Sequence, residues 1–84
     1  MTAKQIKALR SIPVGETGNR LADAFQISGL PQMACVRRTR FTAQYVSDVK
    51  NGRFRDISVE NAREFASFFG CQIEDLFPAR EAVA

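Results

Sequence analysis

The sequence predicts an all-α fold, one compact bundle of short helices, on three observations. Apolar residues recur at spacings of three and four, as in Val46 and Val49, or Ala62, Phe65, Ala66 and Phe69. That is the period of an amphipathic helix. The periodic stretches are bounded by residues that start or stop helices: Thr2, Thr42 and Ser58 can cap, while Gly29, Gly52, Gly70 and Pro78 close. Finally, 84 residues make one domain near the lower limit for a self-sufficient core. An apolar fraction of 45% with seven Phe fills such a core but does not also enclose a deep substrate pocket.

Taken in order, Thr2-Ala3-Lys4-Gln5 fits a capping box, and Ile6 and Leu9 form a weak apolar stripe. A short helix is predicted from Ala3 to about Ser11. Pro13, Gly15 and Gly18 then break the chain into a loop, so residues 1–18 read as an N-terminal extension. It can pack on the domain, reach out as a basic arm or make a dimer contact; simple packing is preferred. Asn19 or Thr17 can cap the next helix, Arg20 to Ser28, with Leu21, Ala24 and Phe25 inward. Gly29 ends it, Leu30 folds back onto the core, and Pro31 presets φ at the junction.

Gln32 opens a further helix with Met33 and Val36 on its apolar face and Cys35 beside them. After a break at Thr39-Arg40-Phe41, Thr42 caps a helix running from Ala43 to about Lys50, with Val46 and Val49 inward. Asn51-Gly52 stops it, since both residue types tolerate the left-handed conformation. The loop Arg53-Phe54-Arg55-Asp56 leads to Ser58, a cap for a helix from Glu60 to Phe69. Its inner face is Val59, Ala62, Phe65, Ala66 and Phe69, and Phe68 lies off that face as a candidate dimer contact. Ile73, Leu76 and Phe77 form a last short helix stopped by Pro78, and residues 79–84 read as a flexible tail.

Two short helices joined by about three residues, over Gln32 to Gly52, outline a helix-turn-helix, whose second helix can enter a DNA major groove. Any small helical bundle can show that outline, so charge is the next observation. Residues 19–55 hold seven basic side chains (Arg20, Arg37, Arg38, Arg40, Lys50, Arg53, Arg55) against Asp23 and Asp48. Residues 56–84 hold only Arg63 and Arg80 against six acidic ones. A basic block coinciding with the two-helix outline suits a surface turned toward phosphate.

The chain has no His and no C-x-x-C pair, which weighs against an enzyme or a metal site, and nothing in it calls for a cofactor. Cys35 and Cys71 are expected as buried, reduced thiols. The longest apolar runs span only a few residues, so no membrane partner is expected and a cytoplasmic protein is the default.

Gly29-Leu30-Pro31-Gln32, Phe41-Thr42, Val46-Ser47, Val49 and Asn51-Gly52 fall, without a gap, where one known family carries its signature. Ile57 to Ala62 and Phe69 to Phe77 look like that family's last two helices. Over about Asn19 to Pro78 the chain resembles the Cro/phage-repressor (XRE-type) helix-turn-helix family. The resemblance implies a compact five-helix lambda-repressor-like helix-turn-helix domain over residues 19–78, with the N-terminal segment as an addition. It implies that Gln32 sits at a helix N-terminus against a DNA phosphate, and that Ala43 to Lys50 is the recognition helix.

Position in the family pattern then nominates Ala43, Gln44, Tyr45, Ser47 and Asp48 as base contacts. Gln44 suits adenine, Asp48 suits cytosine N4, and Ala43 suits a thymine methyl; Tyr45 is placed toward the groove edge. Phosphate contacts are expected from Gln32, Thr42, Lys50, Asn51, Arg53 and Arg55. Arg37, Arg38 and Arg40 lie where relatives tilt away from DNA, and suit a solvated face equally.

There are two departures from the family, over three positions. Arg40 stands where glycine is usual, so the turn is either strained or differently shaped. Phe25 and Lys50 replace an Arg–Glu pair. The expected function is a transcriptional regulator, a repressor that binds double-stranded DNA as a homodimer on a near-palindromic operator, with the C-terminal helices as the dimer surface. The alternatives are an antitoxin that holds a toxin through the N-terminal segment, and a protein-interaction module on the same fold.

Overall fold

The Thr2 hydroxyl accepts the Gln5 N–H while the Gln5 side chain accepts the Thr2 N–H, a complete capping box. It starts the first of six helices in the computed structural model, which describes residues 1–54 and 56–78. They are α1 (Ala3–Arg10), α2 (Leu21–Ser28), α3 (Gln32–Arg38), α4 (Ala43–Lys50), α5 (Val59–Phe69) and α6 (Ile73–Leu76). No strand occurs among the described residues, so the protein is all-α there. Arg55 and the tail expected over 79–84 lie outside the described residues.

The local chemistry accounts for the boundaries. Thr42 and Ser58 each accept the N–H three residues on, from Tyr45 and Asn61. Helix α2 begins one residue later than expected, with Arg20 at its N-cap and no side-chain cap; Asn19, the residue before, accepts the Leu21 N–H through Oδ1 at 2.9 Å. Gly29 and Gly70 close α2 and α5 in the left-handed conformation. At the end of α4 only Gly52 turns left-handed (φ +76°), whereas Asn51 stays at φ −86°.

The core gathers around α5, which packs against α3 and α6, with α4 held between α2 and α3. Phe65 is fully buried, and its ring lies 4.5 Å from Phe41 and 6.0 Å from Phe77, centroid to centroid. Burying one such side chain stabilises by roughly 1.5–3 kcal/mol. Leu9 of α1 is as deeply buried as Leu21 and Leu76, so α1 packs onto α2 and α6, whereas the loop after it is mostly exposed. Around Leu9 the guanidinium of Arg10 pairs with buried Asp75, and Gln5 donates to the Ile27 carbonyl. Arg20 donates to the carbonyls of Ile12, Asp75 and Arg10, so its charge is spent inside the fold.

Three expectations about faces need correction. Met33 is 49% exposed, and Cys35 is the buried residue of α3. Successive helical residues turn by about 100°, so positions 33 and 35 point in nearly opposite directions and only one can face the core. Val59 is 45% exposed because it starts α5, beyond the reach of the neighbouring helices. Cys71 is only half-buried, although burial and the nearby Asp75 charge push its thiol up to about 11. Burial also raises Cys35, and the two thiols are unpaired.

The turn between α3 and α4 is differently shaped rather than strained. Among the described residues only glycines have positive φ, so Arg40 has no left-handed penalty. Thr39 is extended, donates to the Cys35 carbonyl at 2.7 Å and accepts the Phe41 N–H. The Arg40 guanidinium reaches α5, with Nε 3.1 Å from Glu64 and Nη2 2.9 Å from Asn61 Oδ1.

Candidate nucleic-acid interface

Helix α4 buries one of its faces and leaves the other toward solvent. Val46 and Val49 are buried, three residues apart, and this spacing turns Ala43 and Gln44 outward, with Ser47 and Asp48 half-buried beside them. Its C-terminal end is held from below by Asn19, whose Nδ2 donates to the Val49 carbonyl at 2.9 Å. The loop before Asn19 closes on the same end. A Cβ on Gly52 would stand 2.6 Å from Thr17 Cα, so this close approach requires glycine as much as the positive φ does.

Two of the expected phosphate contacts meet in space. Lys50 Nζ donates to Gln32 Oε1 at 2.7 Å, joining the end of α4 to the start of α3 across 18 residues. With its oxygen engaged, the Gln32 amide keeps its NH₂ group as a donor for an anion. Lys50 therefore makes a bridge to a neutral amide rather than an ion pair. Phe25 itself packs edge-on against Phe69, at 5.0 Å between centroids.

A second cluster lies on the outward face. Asp48 Oδ1 accepts from Gln44 Nε2 at 2.9 Å and from Arg53 Nη1 at 2.8 Å. The Arg53 side chain is 64% exposed and that of Asp48 only 17%, so the donors cover the carboxylate. Asn51, exposed, donates from Nδ2 to Ser47 Oγ. Thr42 is exposed, its oxygen already accepting the capping N–H.

Tyr45 is placed differently from the groove-edge expectation. Its ring lies among Phe41, Phe54 and Phe65, at 4.9, 5.6 and 6.3 Å. Its hydroxyl accepts from Asn61 Nδ2 at 2.8 Å. The aromatic neighbours come from α5 and from both connections of α4, and they draw the ring toward the core. Arg55, the remaining phosphate candidate, lies outside the described residues.

The arginines at the end of α3 separate. Arg40 is tied to Glu64, whereas Arg38 lies over the Phe68 ring at 5.9 Å and Arg37 is exposed. Phe68 also meets Phe69 edge-on at 4.9 Å, so much of its surface is used within the chain. Sequence reasoning passed over Asn61 and Glu64, which hold Tyr45 and the α3–α4 turn. Their partners lie 16 to 24 residues away, a distance no helical period reports.

The exposed face of α4 is thus flanked by the Gln32–Lys50 bridge on one side and by Asn51 and Arg53 at its end. Such a face can present amide, hydroxyl and carboxylate groups to base edges while cationic side chains meet a phosphate backbone. Compared with family models, with curated proteins and with solved structures, the chain finds no match in any of the three.

Proposed function

We propose that this protein is a sequence-specific DNA-binding transcriptional regulator, a repressor whose α3 and α4 form the helix-turn-helix of a lambda-repressor-like domain. The observation that carries the reading is the outward face of α4, with Ala43, Gln44, Ser47 and Asp48 between the Gln32–Lys50 bridge and Arg53. Eight residues make a helix about 12 Å long, a length that the roughly 12 Å wide major groove accepts. Gln44 reads adenine through its amide, and Ser47 and Asp48 read neighbouring base edges. Gln32, Lys50, Asn51 and Arg53 position the helix on phosphates, as does Arg55 by its place in the sequence pattern.

One such helix touches only a few base pairs, too few for useful specificity. The protein therefore acts as a homodimer on a near-palindromic operator, its half-sites about one helical turn apart. The antitoxin reading requires an N-terminal segment that is exposed and apolar when the protein is alone. Complete burial of Leu9 and the Arg10–Asp75 pair weigh against that role.

The test is a salt titration of binding to random and to selected duplex DNA, with wild type and Gln44→Ala. The expected result is a steep salt dependence, preference for a selected palindrome, and loss of about 1–3 kcal/mol of discrimination in the variant. Weak binding to every duplex, unchanged by the substitution, would sink the proposal.

A further inference from the structure

The Gln44–Asp48–Arg53 cluster has a property that neither the helix pattern nor the charge balance reveals. A carboxylate has lone pairs and no proton to donate. In the folded chain Asp48 spends one oxygen on two donors, Gln44 Nε2 at 2.9 Å and Arg53 Nη1 at 2.8 Å. The Arg53 backbone N–H folds back to the Asp48 carbonyl at 2.9 Å, which fixes the arginine beside the acid. The most exposed cation at the end of α4 is therefore occupied before any DNA arrives.

Resting on the DNA-binding reading above, we infer that Asp48 is a specificity-determining gate that releases Arg53 to a phosphate only when a base amine replaces it. The exposed atoms of the major groove sort into two chemical kinds. Guanine N7 and O6 and thymine O4 are acceptors, and they repel a carboxylate as phosphate does. Cytosine N4 and adenine N6 are donors. Opposite an acceptor, Asp48 must keep Arg53, because a desolvated carboxylate left with the neutral Gln44 amide alone is costly. Opposite an amine, the base supplies the missing donor, and the guanidinium swings to the backbone at no loss to the acid. The exchange couples one base identity to one phosphate contact.

Gln44 has a separate part. Its Nε2 keeps one hydrogen on Asp48, which orients the amide so that the oxygen and the second hydrogen point outward. That is the pair of groups adenine N6 and N7 require. Gln44 readout and the Asp48 gate thus act on neighbouring positions and can be separated by substitution.

The experiment combines selection from randomised duplexes with salt titrations, using wild type, Asp48→Ala, and Arg53→Gln. Circular dichroism establishes that each is folded. Wild type is expected to select an amine-bearing base at one position per half-site by about tenfold. Asp48→Ala, which leaves no acceptor for a base amine, is expected to lose that preference while the position read by Gln44 still favours adenine. It should also bind random duplex more tightly, with a salt slope steeper by about 0.9, because Arg53 is then free to reach phosphate everywhere. On the selected duplex its slope should match wild type.

Arg53→Gln supports the same mechanism independently should Asp48→Ala fold poorly. It is expected to flatten the slope by about 0.9 on selected DNA only. Flattening on random and selected DNA alike would overturn the gate, as would an Asp48→Ala protein that keeps the amine preference. Wild type without affinity for any duplex would overturn the gate together with the DNA-binding reading, whereas a wild type that selects a sequence isolates the failure to the gate.

Discussion

Asp75 shows how one side chain ties the N-terminal segment to the rest. Burial pushes its carboxyl up, but the hydrogen bonds from Arg10 and the Gln72 N–H, with the charges of Arg10 and Arg20, outweigh this and hold it below 3.8. A carboxyl depressed in the folded state adds stability above its unfolded pKa and loses it as pH falls through the folded value. Asp75→Asn should therefore be less stable than wild type at pH 7, with the gap closing below about pH 4. Urea midpoints at pH 7 and pH 3 check this; an equal gap at both would refute the linkage.

Gly52 and Gly29 offer a second contrast at this scale. Both are left-handed, but only Gly52 has backbone within reach of a Cβ, that of Thr17. Gly29→Ala should cost roughly the 1–2 kcal/mol of a left-handed residue. Gly52→Ala should cost clearly more, because the loop over α4 must also move. Thermal denaturation of the two variants gives the comparison.

The turn between α3 and α4 is where element-level reasoning has most to test. A glycine is the usual choice there in the family that the sequence resembles, and an arginine at positive φ would be relieved by Arg40→Gly. The observed turn has no positive φ, and Arg40 bonds to Glu64 and Asn61. Arg40→Gly should thus destabilise by about 1 kcal/mol, combining added backbone freedom with a lost, largely exposed tether. A gain in stability would mean that the turn is strained after all. For α4, Thr42→Ala should cost about 1 kcal/mol and Thr42→Ser almost nothing, because the hydroxyl accepts the Tyr45 N–H. Chemical denaturation with equal m-values in both variants would locate the loss in the cap.

Across the whole molecule, α1 is a load on the fold rather than a free arm. Leu9→Ala should cost about 2–5 kcal/mol, a large part of the stability of so small a domain. Removing residues 1–18 should abolish cooperative unfolding, measured by denaturant titration and by loss of amide dispersion in NMR spectra. A truncated chain that still unfolds cooperatively would return the segment to the status of an appendage. The described helices include none long and apolar enough to cross a membrane.

The elements themselves were legible from the sequence: α1 and α4 begin at the residues predicted from Thr2 and Thr42, and Gly29 and Gly70 close α2 and α5. Val46 and Val49 likewise assigned the buried face of α4. These signals are local, since caps and helical periods act within about four residues. Only the tertiary structure decided that Met33 and Val59 face solvent, that Tyr45 turns toward Asn61, and that Gln32 meets Lys50. It also brought Asn19 under Val49 and Arg10 onto Asp75, 30 and 65 residues apart. Contacts at such separations depend on how whole helices stack, and a side chain's own neighbours in the chain carry no record of them.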